Sequence, residues 1–121
     1  MNILTKRSMD AQGKAKRLWI GLVEVRSEKG GNEILQDAKG AFVNIVTWAS
    51  DADEYRRNAE LITGMLGLFV ADIENPEPVE TRKKNGSVVF DEEIEDMISR
   101  AEGNPNAIIY GTFHRFERDN A

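Results

Sequence analysis

His114, the one histidine of this 121-residue chain, is the first side chain to test for chemistry. Tyr110 and Thr112 precede it at alternate positions, so on a continuous strand all three share a face. An imidazole that titrates near neutrality could then act as a general base in a cleft. The rest of the catalytic search is negative. A single imidazole excludes any metal site that needs two from one chain, and the absence of cysteine excludes disulfides, zinc ribbons, iron-sulfur clusters and thiol catalysis. No glycine-rich phosphate loop, dinucleotide fingerprint or nucleophile elbow is present. The chain therefore calls for no cofactor and no metal, no catalytic residue is assigned, and a binding role is expected ahead of an enzymatic one.

Carboxylates are abundant, so pairs of them carry little weight. Asp72 and Glu74 alternate onto one strand face, and Glu24 shares a face with Leu18, Ile20 and Leu22, where burial would raise a carboxyl pKa. The run Asp91 to Asp96 has five acids in six residues, but it opens a helix, where acids suit the positive end of the dipole, and it lacks the alternate spacing of a calcium loop. Asn44 stands out more. Its amide sits mid-strand between Phe42, Val46 and Trp48 and needs hydrogen-bond partners if buried, so it either orients a ligand or partner or marks a solvent face. Trp19 and Trp48 belong to successive strands and suit either core or interface. The ligand or interface candidates are thus Trp19, Asn44, Trp48, Tyr110 and His114. Ile34 and Leu35, apolar in a polar loop, are candidates either to contact a partner or to cover the core edge.

These residues need a scaffold, and apolar periodicity outlines one. Residues 1 to 16 read as a loose basic leader, and residues 17 to 118 as one domain. Leu18 to Arg26 and Ala41 to Ala49 are rich in aliphatic and β-branched residues on both faces, which predicts strands buried on both. Between them, Ser27 to Gly40 forms a long connection. Ser50 and Asp51 start a helix whose stripe is Ala52, Tyr55, Ala59, Ile62 and Leu66, and Gly67 ends it before a strand from Leu68 to Ile73. Asn75-Pro76-Glu77-Pro78 breaks that strand. Val79 to Lys84 and Ser87 to Phe90 flank Asn85-Gly86, a dipeptide that favours a hairpin turn. Asp91 caps a second helix with Ile94, Met97, Ile98 and Ala101 inward, and a last strand runs from Ala107 to Phe116.

From residue 41 to residue 116 this order resembles the split βαβ arrangement of ferredoxin-like folds, a βαββαβ core. It implies an α+β two-layer sandwich, with two helices on one face of a mostly antiparallel sheet and an extra N-terminal strand. If that first strand pairs with the second as a wide hairpin, the order fails. The superfold hosts many unrelated activities, so the resemblance implies architecture alone.

Charge limits the partners. The net charge is −5, but residues 1 to 17 hold five basic residues against one acid, or +4, while the other 104 residues hold eleven basic against twenty acidic, or −9. An acidic body repels phosphate backbones, so nucleic acid is not an expected partner. The longest apolar runs are too short to span a membrane and no signal peptide opens the chain, so no membrane partner is expected and the cytoplasm is the expected compartment. The expectation is a small acidic interaction module, a homodimer that self-associates through the sheet face, since the apolar strands exceed what two helices cover. A small-molecule binder or small enzyme with a cleft between the sheet and loop 27 to 40, and an acidic inhibitor or immunity-type protein blocking a basic partner protein, are the other two readings. A chain lacking residues 1 to 16 is expected to keep its far-UV circular dichroism and cooperative melting; loss of either shows that the leader belongs to the fold.

Overall fold

In a computed structural model, residues 15–28, 32–85 and 90–117 are described. Most of the leader, residues 1–14, lies outside them. The described elements are β1 (Arg17–Arg26), β2 (Gly40–Ala49), α1 (Ala52–Met65), β3 (Phe69–Pro78), α2 (Val79–Lys84), α3 (Glu92–Glu102), β4 (Ile108–Tyr110) and β5 (His114–Phe116). They form an α+β fold on one antiparallel sheet ordered β3-β1-β2-β4, with β5 also paired to β2. No helix among the described residues is long and apolar enough to cross a membrane.

β1 and β2 pair along nearly their whole length, from Arg17 opposite Ala49 to Val25 opposite Ala41. The first strand is therefore the centre of the sheet rather than an addition to its edge. β2 and β3 are both antiparallel to β1, hence parallel to each other, and α1 crosses between them. β1 fills the gap that the split βαβ pattern leaves for a later strand, so the ferredoxin-like order does not hold. The segment expected to supply that later strand, Val79 to Lys84, is the short helix α2 instead. Asn85-Gly86 does not follow a strand, and residues 86–89 lie outside the described residues.

The helices are divided between the two sheet faces rather than gathered on one. α1 covers the face that carries Val23, Val25, Val43, Ile45 and Ala49, inserting Tyr55 and Ala59, with Trp19 packed alongside. Helix α3 and the start of α2 cover the opposite face, where Ile20 and Val46 meet Val79, Met97, Ile98 and Ala101. That division explains why both strands are apolar on both faces. Each face meets a helix of the same chain, and the surplus that suggested an external partner is largely absorbed.

α1 begins where its sequence indicates, with the Asp51 carboxylate accepting from the Glu54 N–H at 2.8 Å. Gly67 follows its end with φ 76°, a conformation that glycine adopts at little cost. Leu35 is buried in the α1-side core and Ile34 packs against it, so this part of the long loop covers the core edge. Asn32 ties the loop down: its amide donates to the Leu66 carbonyl at 3.0 Å and its Oδ1 accepts from the Ile34 and Leu35 N–H groups.

β3 runs straight through the two prolines thought to break it. It lies at the edge of the sheet, where a missing N–H is tolerated, and its pairing with β1 slips between Ile20 and Leu22. Asn75, with φ 51°, sits at the slip. One residue is thereby inserted, and Glu77 comes onto the same face as Asp72 and Glu74 rather than the opposite one.

Two contacts give measurable consequences. The Tyr55 hydroxyl lies 2.7 Å from the Ile45 carbonyl oxygen and 3.2 Å from that of Gly21, and a Cβ on Gly21 would stand 2.9 Å from that hydroxyl. Tyr55→Phe is expected to lower unfolding free energy by about 1–2 kcal/mol. Gly21→Ala is expected to cost about 1–3 kcal/mol by overpacking, and the double variant less than the two losses added, because the nearest clashing atom leaves with the hydroxyl while ring carbons Cε2 and Cζ stay 3.1 Å away. Strict additivity in urea unfolding contradicts the contact.

Lys16, the last leader residue, pairs with Glu54 at 2.9 Å. Burial pushes the Glu54 carboxyl upward, but hydrogen bonds from Lys16 and from the Ser50 N–H and hydroxyl together outweigh it, so its pKa falls below the ordinary glutamate value. A depressed carboxylate stabilises the fold above its unfolded pKa, and that contribution disappears as pH drops through the folded pKa. Lys16→Ala is expected to cost about 1 kcal/mol at neutral pH. The cost should fade on acidification through Glu54's titration, and a pH-independent difference contradicts the assignment.

Candidate functional site

Helices α2 and α3 cover only part of the second sheet face. Ile20, Val46 and the half-buried Leu18 pack against them, whereas Leu22, Glu24, Phe42 and Asn44, further along the same strands, are not part of that cluster. Strand pairing arranges the less covered half in rows about 6.8 Å apart, the spacing of alternate residues on a strand. Ile20 stands beside Glu77, Leu22 lies between Glu74 and Asn44, and Glu24 lies between Asp72 and Phe42, with His114 beyond Phe42. Leu22, Asn44, Glu74, Asn75, Glu77, Arg82 and the edge of the helical layer at Phe90 and Ile94 line a cleft of about 480 Å³.

The two flanking rows each hold an arginine of the chain itself. Arg82 of α2 donates through Nε to the Glu77 carboxylate at 2.7 Å and through Nη2 to the Asn75 carbonyl at 2.6 Å. Arg26 donates through Nε to the Glu24 carboxylate at 2.8 Å, while its guanidinium stands 5.2 Å from the centre of the Phe116 ring. Phe116 in turn packs on Phe42 with centroids 5.2 Å apart. The row between them differs. Glu74 is exposed and makes no ion pair with another described residue, as is true of Asp72 in the neighbouring Glu24 row, and the Asn44 side chain makes no hydrogen bond to one. The Leu22 row thus has a carboxylate at one end, an amide at the other and an apolar floor, flanked by two working examples of guanidinium recognition.

The far wall depends on a second one-residue insertion. β4 pairs with β2 at Tyr110 opposite Ile45, and β5 at His114 opposite Phe42, registers that differ by one residue. Gly111, Thr112 and Phe113 absorb the extra residue. Glu93 of α3 holds this bulge, accepting from the Thr112 N–H at 3.2 Å and from the Thr112 hydroxyl. The missing side chain of Gly111 leaves room for this contact, since a Cβ would lie 2.7 Å from the Glu93 Oε1 and that carboxylate would have to shift. The Gly111 N–H donates to the Asn44 carbonyl at 3.0 Å, so the bulge also fixes the Asn44 backbone.

The insertion separates residues expected to act together. Tyr110 faces the α1 side and packs on Phe113 with ring centroids 5.4 Å apart, whereas His114 faces the other side beside Phe42. Asn44, Tyr110 and His114 therefore do not line one cavity, and the His114, Tyr110 and Thr112 constellation does not form. Trp19 and Trp48 also lie on opposite faces. Trp48 fastens the end of α3, its indole N–H lying 3.0 Å from both the Ala101 and Asn104 carbonyl oxygens. Trp19 sits against Tyr55, and its buried indole nitrogen has no partner among the described residues. Of the candidates, Asn44 is the one that lines the cleft. Glu74 was visible as half of an alternating acidic pair, while Glu77 and Arg82 were hidden by the assumed strand break and hairpin.

Among the described residues no three His, Asp or Glu side chains converge as metal ligands. The arrangement attracts cations through carboxylates, an amide and aromatic faces. No protein-family model, curated protein or solved structure matches this chain.

Proposed function

We propose that this protein is a non-catalytic interaction module, resident in the cytoplasm, that receives a cationic segment of a partner protein on the acidic half of its second sheet face. The observation that carries the reading is the row of Glu74, Leu22 and Asn44, lying between two rows that each bind a guanidinium of the chain itself. A lysine or arginine of the partner can lay its methylenes on Leu22 and bring its charge to Glu74, while Asn44 is placed to meet the partner backbone. The charged rows continue past the cleft toward Asp72 on one side and the acidic start of α3 on the other. An extended segment uses that surface more fully than a compact ligand does.

Two further observations favour a foreign basic partner on this face. Stacking two copies sheet on sheet with β3 over β3 would oppose the Asp72 and Glu74 carboxylates of each, and like charges at close range are costly. A general-base mechanism draws no support from residues that the bulge places on different faces.

A hexa-arginine peptide serves as the probe in isothermal titration. Binding is expected in the range of about 10–100 μM at low salt, weakening tenfold or more when the Debye length shrinks below about 8 Å. Glu74→Lys is expected to weaken it at least about tenfold, and Asn44→Ala a few-fold, while Arg57→Glu on the outer face of α1 leaves it within about twofold. Equal affinity of the parent and Glu74→Lys overturns the reading. Binding of argininamide as tightly as the peptide overturns the partner-protein reading in favour of a small cationic ligand.

A further inference from the structure

The two edges of the sheet are treated in opposite ways. β3, at one edge, carries Asp72, Glu74, Pro76 and Pro78 and is bent by register slips, devices that keep another strand from adding to it. β4, at the other, reads Ile108-Ile109-Tyr110 without charge or proline, and among the described residues no strand pairs with its outer side. Its defence is its length of three residues.

The direction of its free hydrogen-bonding groups follows from one bond. The Gly111 N–H donates to the Asn44 carbonyl, so Gly111 and Asn44 form a hydrogen-bonded pair. Such pairs alternate along an antiparallel ladder, which makes Ile109 with Val46 the next one. Ile108 and Tyr110 therefore turn their N–H and C=O groups away from β2, toward the open edge. Their side chains lie on the α1 face and adjoin an apolar stripe of that helix. Asn58 anchors the flank of α1 by donating to the Trp48 carbonyl and the Thr47 hydroxyl, and Leu61, one turn on, lines a shared recess with Ile108. Leu61, Met65 and Tyr110 are 60%, 74% and 40% exposed, three of the four large hydrophobic residues that the described surface leaves open.

We propose that the occupant of this edge is a second copy of the chain, paired antiparallel through β4 about a two-fold axis at Ile109. The free groups of Ile108 and Tyr110 are symmetric about Ile109, so Ile108 of each copy meets Tyr110 of the other, and in this register all four residues pair and four backbone hydrogen bonds form. This is a closed, isologous contact that extends the sheet across two protomers. It brings the two uncharged edges together and leaves the acidic half-faces free, so it goes beyond the partner-binding role and uses a different surface. The exposed side chains of Leu61, Met65 and Tyr110 present less than the about 800 Å² per partner of a standard interface. Four hydrogen bonds and that area support a weak dimer, one that forms at high local concentration.

Sedimentation equilibrium of the full chain from about 10 μM to 1 mM tests this, a range that covers weak association. The mass is expected to rise from 13.6 kDa toward twice that value. Tyr110→Pro removes an outward N–H without touching the β2 ladder and is expected to hold the mass at 13.6 kDa, while Glu74→Lys leaves the curve unchanged. Because the chain has no cysteine, Ile109→Cys places one thiol at the two-fold axis, and mild oxidation is expected to give a covalent dimer. A parent that stays monomeric throughout, a Tyr110→Pro variant that associates like the parent, an association abolished by Glu74→Lys, or an Ile109→Cys variant that does not cross-link each overturns the proposal.

Discussion

The buried hydroxyl of Tyr55 is the contact on which the arrangement turns. It reaches the carbonyls of Ile45 and Gly21, residues opposite each other on β2 and β1, and so joins α1 to both central strands at one level. Burial raises the phenol pKa above its ordinary value, which favours the neutral, hydrogen-bond-donating form. Gly21 is the counterpart of this contact, because its missing Cβ leaves room for the phenol ring. With α1 fixed over β1 and β2, the chain that leaves Gly67 arrives beside β1, and β3 has to pair there. The acidic row on β3 is thereby brought level with Leu22 and Asn44.

Two one-residue insertions then decide which side chains meet. The slip at Asn75 turns Glu77 onto the face where Arg82 can hold it, and the bulge at Gly111 to Phe113 sends Tyr110 to the α1 face and His114 to the other. In a strand, every residue beyond an insertion exchanges faces, so a local irregularity has consequences along the whole of the following segment. Glu93 stabilises the second insertion from α3, which couples the helix that covers half of the face to the geometry of the half it leaves open.

β1, β2, α1 and α3 were legible in the sequence because long periodic segments announce themselves, and the acidic caps at Asp51 and Asp91 lie where their spacing places them. The two-sided apolar character of β1 and β2 was legible too, but its explanation was not, since the sequence does not say that α1 and α3 lie on opposite faces. The prolines at 76 and 78 misled because proline excludes a central strand but not an edge one, and edge position is a tertiary property. Asn85-Gly86 misled because the dipeptide favours a turn without specifying strands on both sides. Asn44 drew notice as a polar residue in an apolar strand, whereas its role depends on how far the helical layer extends, which no local pattern encodes. Trp48 fell on the interior side of the same ambiguity, closing the end of α3.

Among the described residues, the helices cover most of the sheet and leave one half-face open, acidic and floored with apolar side chains. The most direct test is a map of backbone amide shifts in ¹⁵N-labelled protein during titration with hexa-arginine. The account predicts changes concentrated at residues 22–24, 42–44 and 72–77, with the outer residues of α1 unmoved. Changes spread evenly over the acidic surface, or centred on α1, would contradict it.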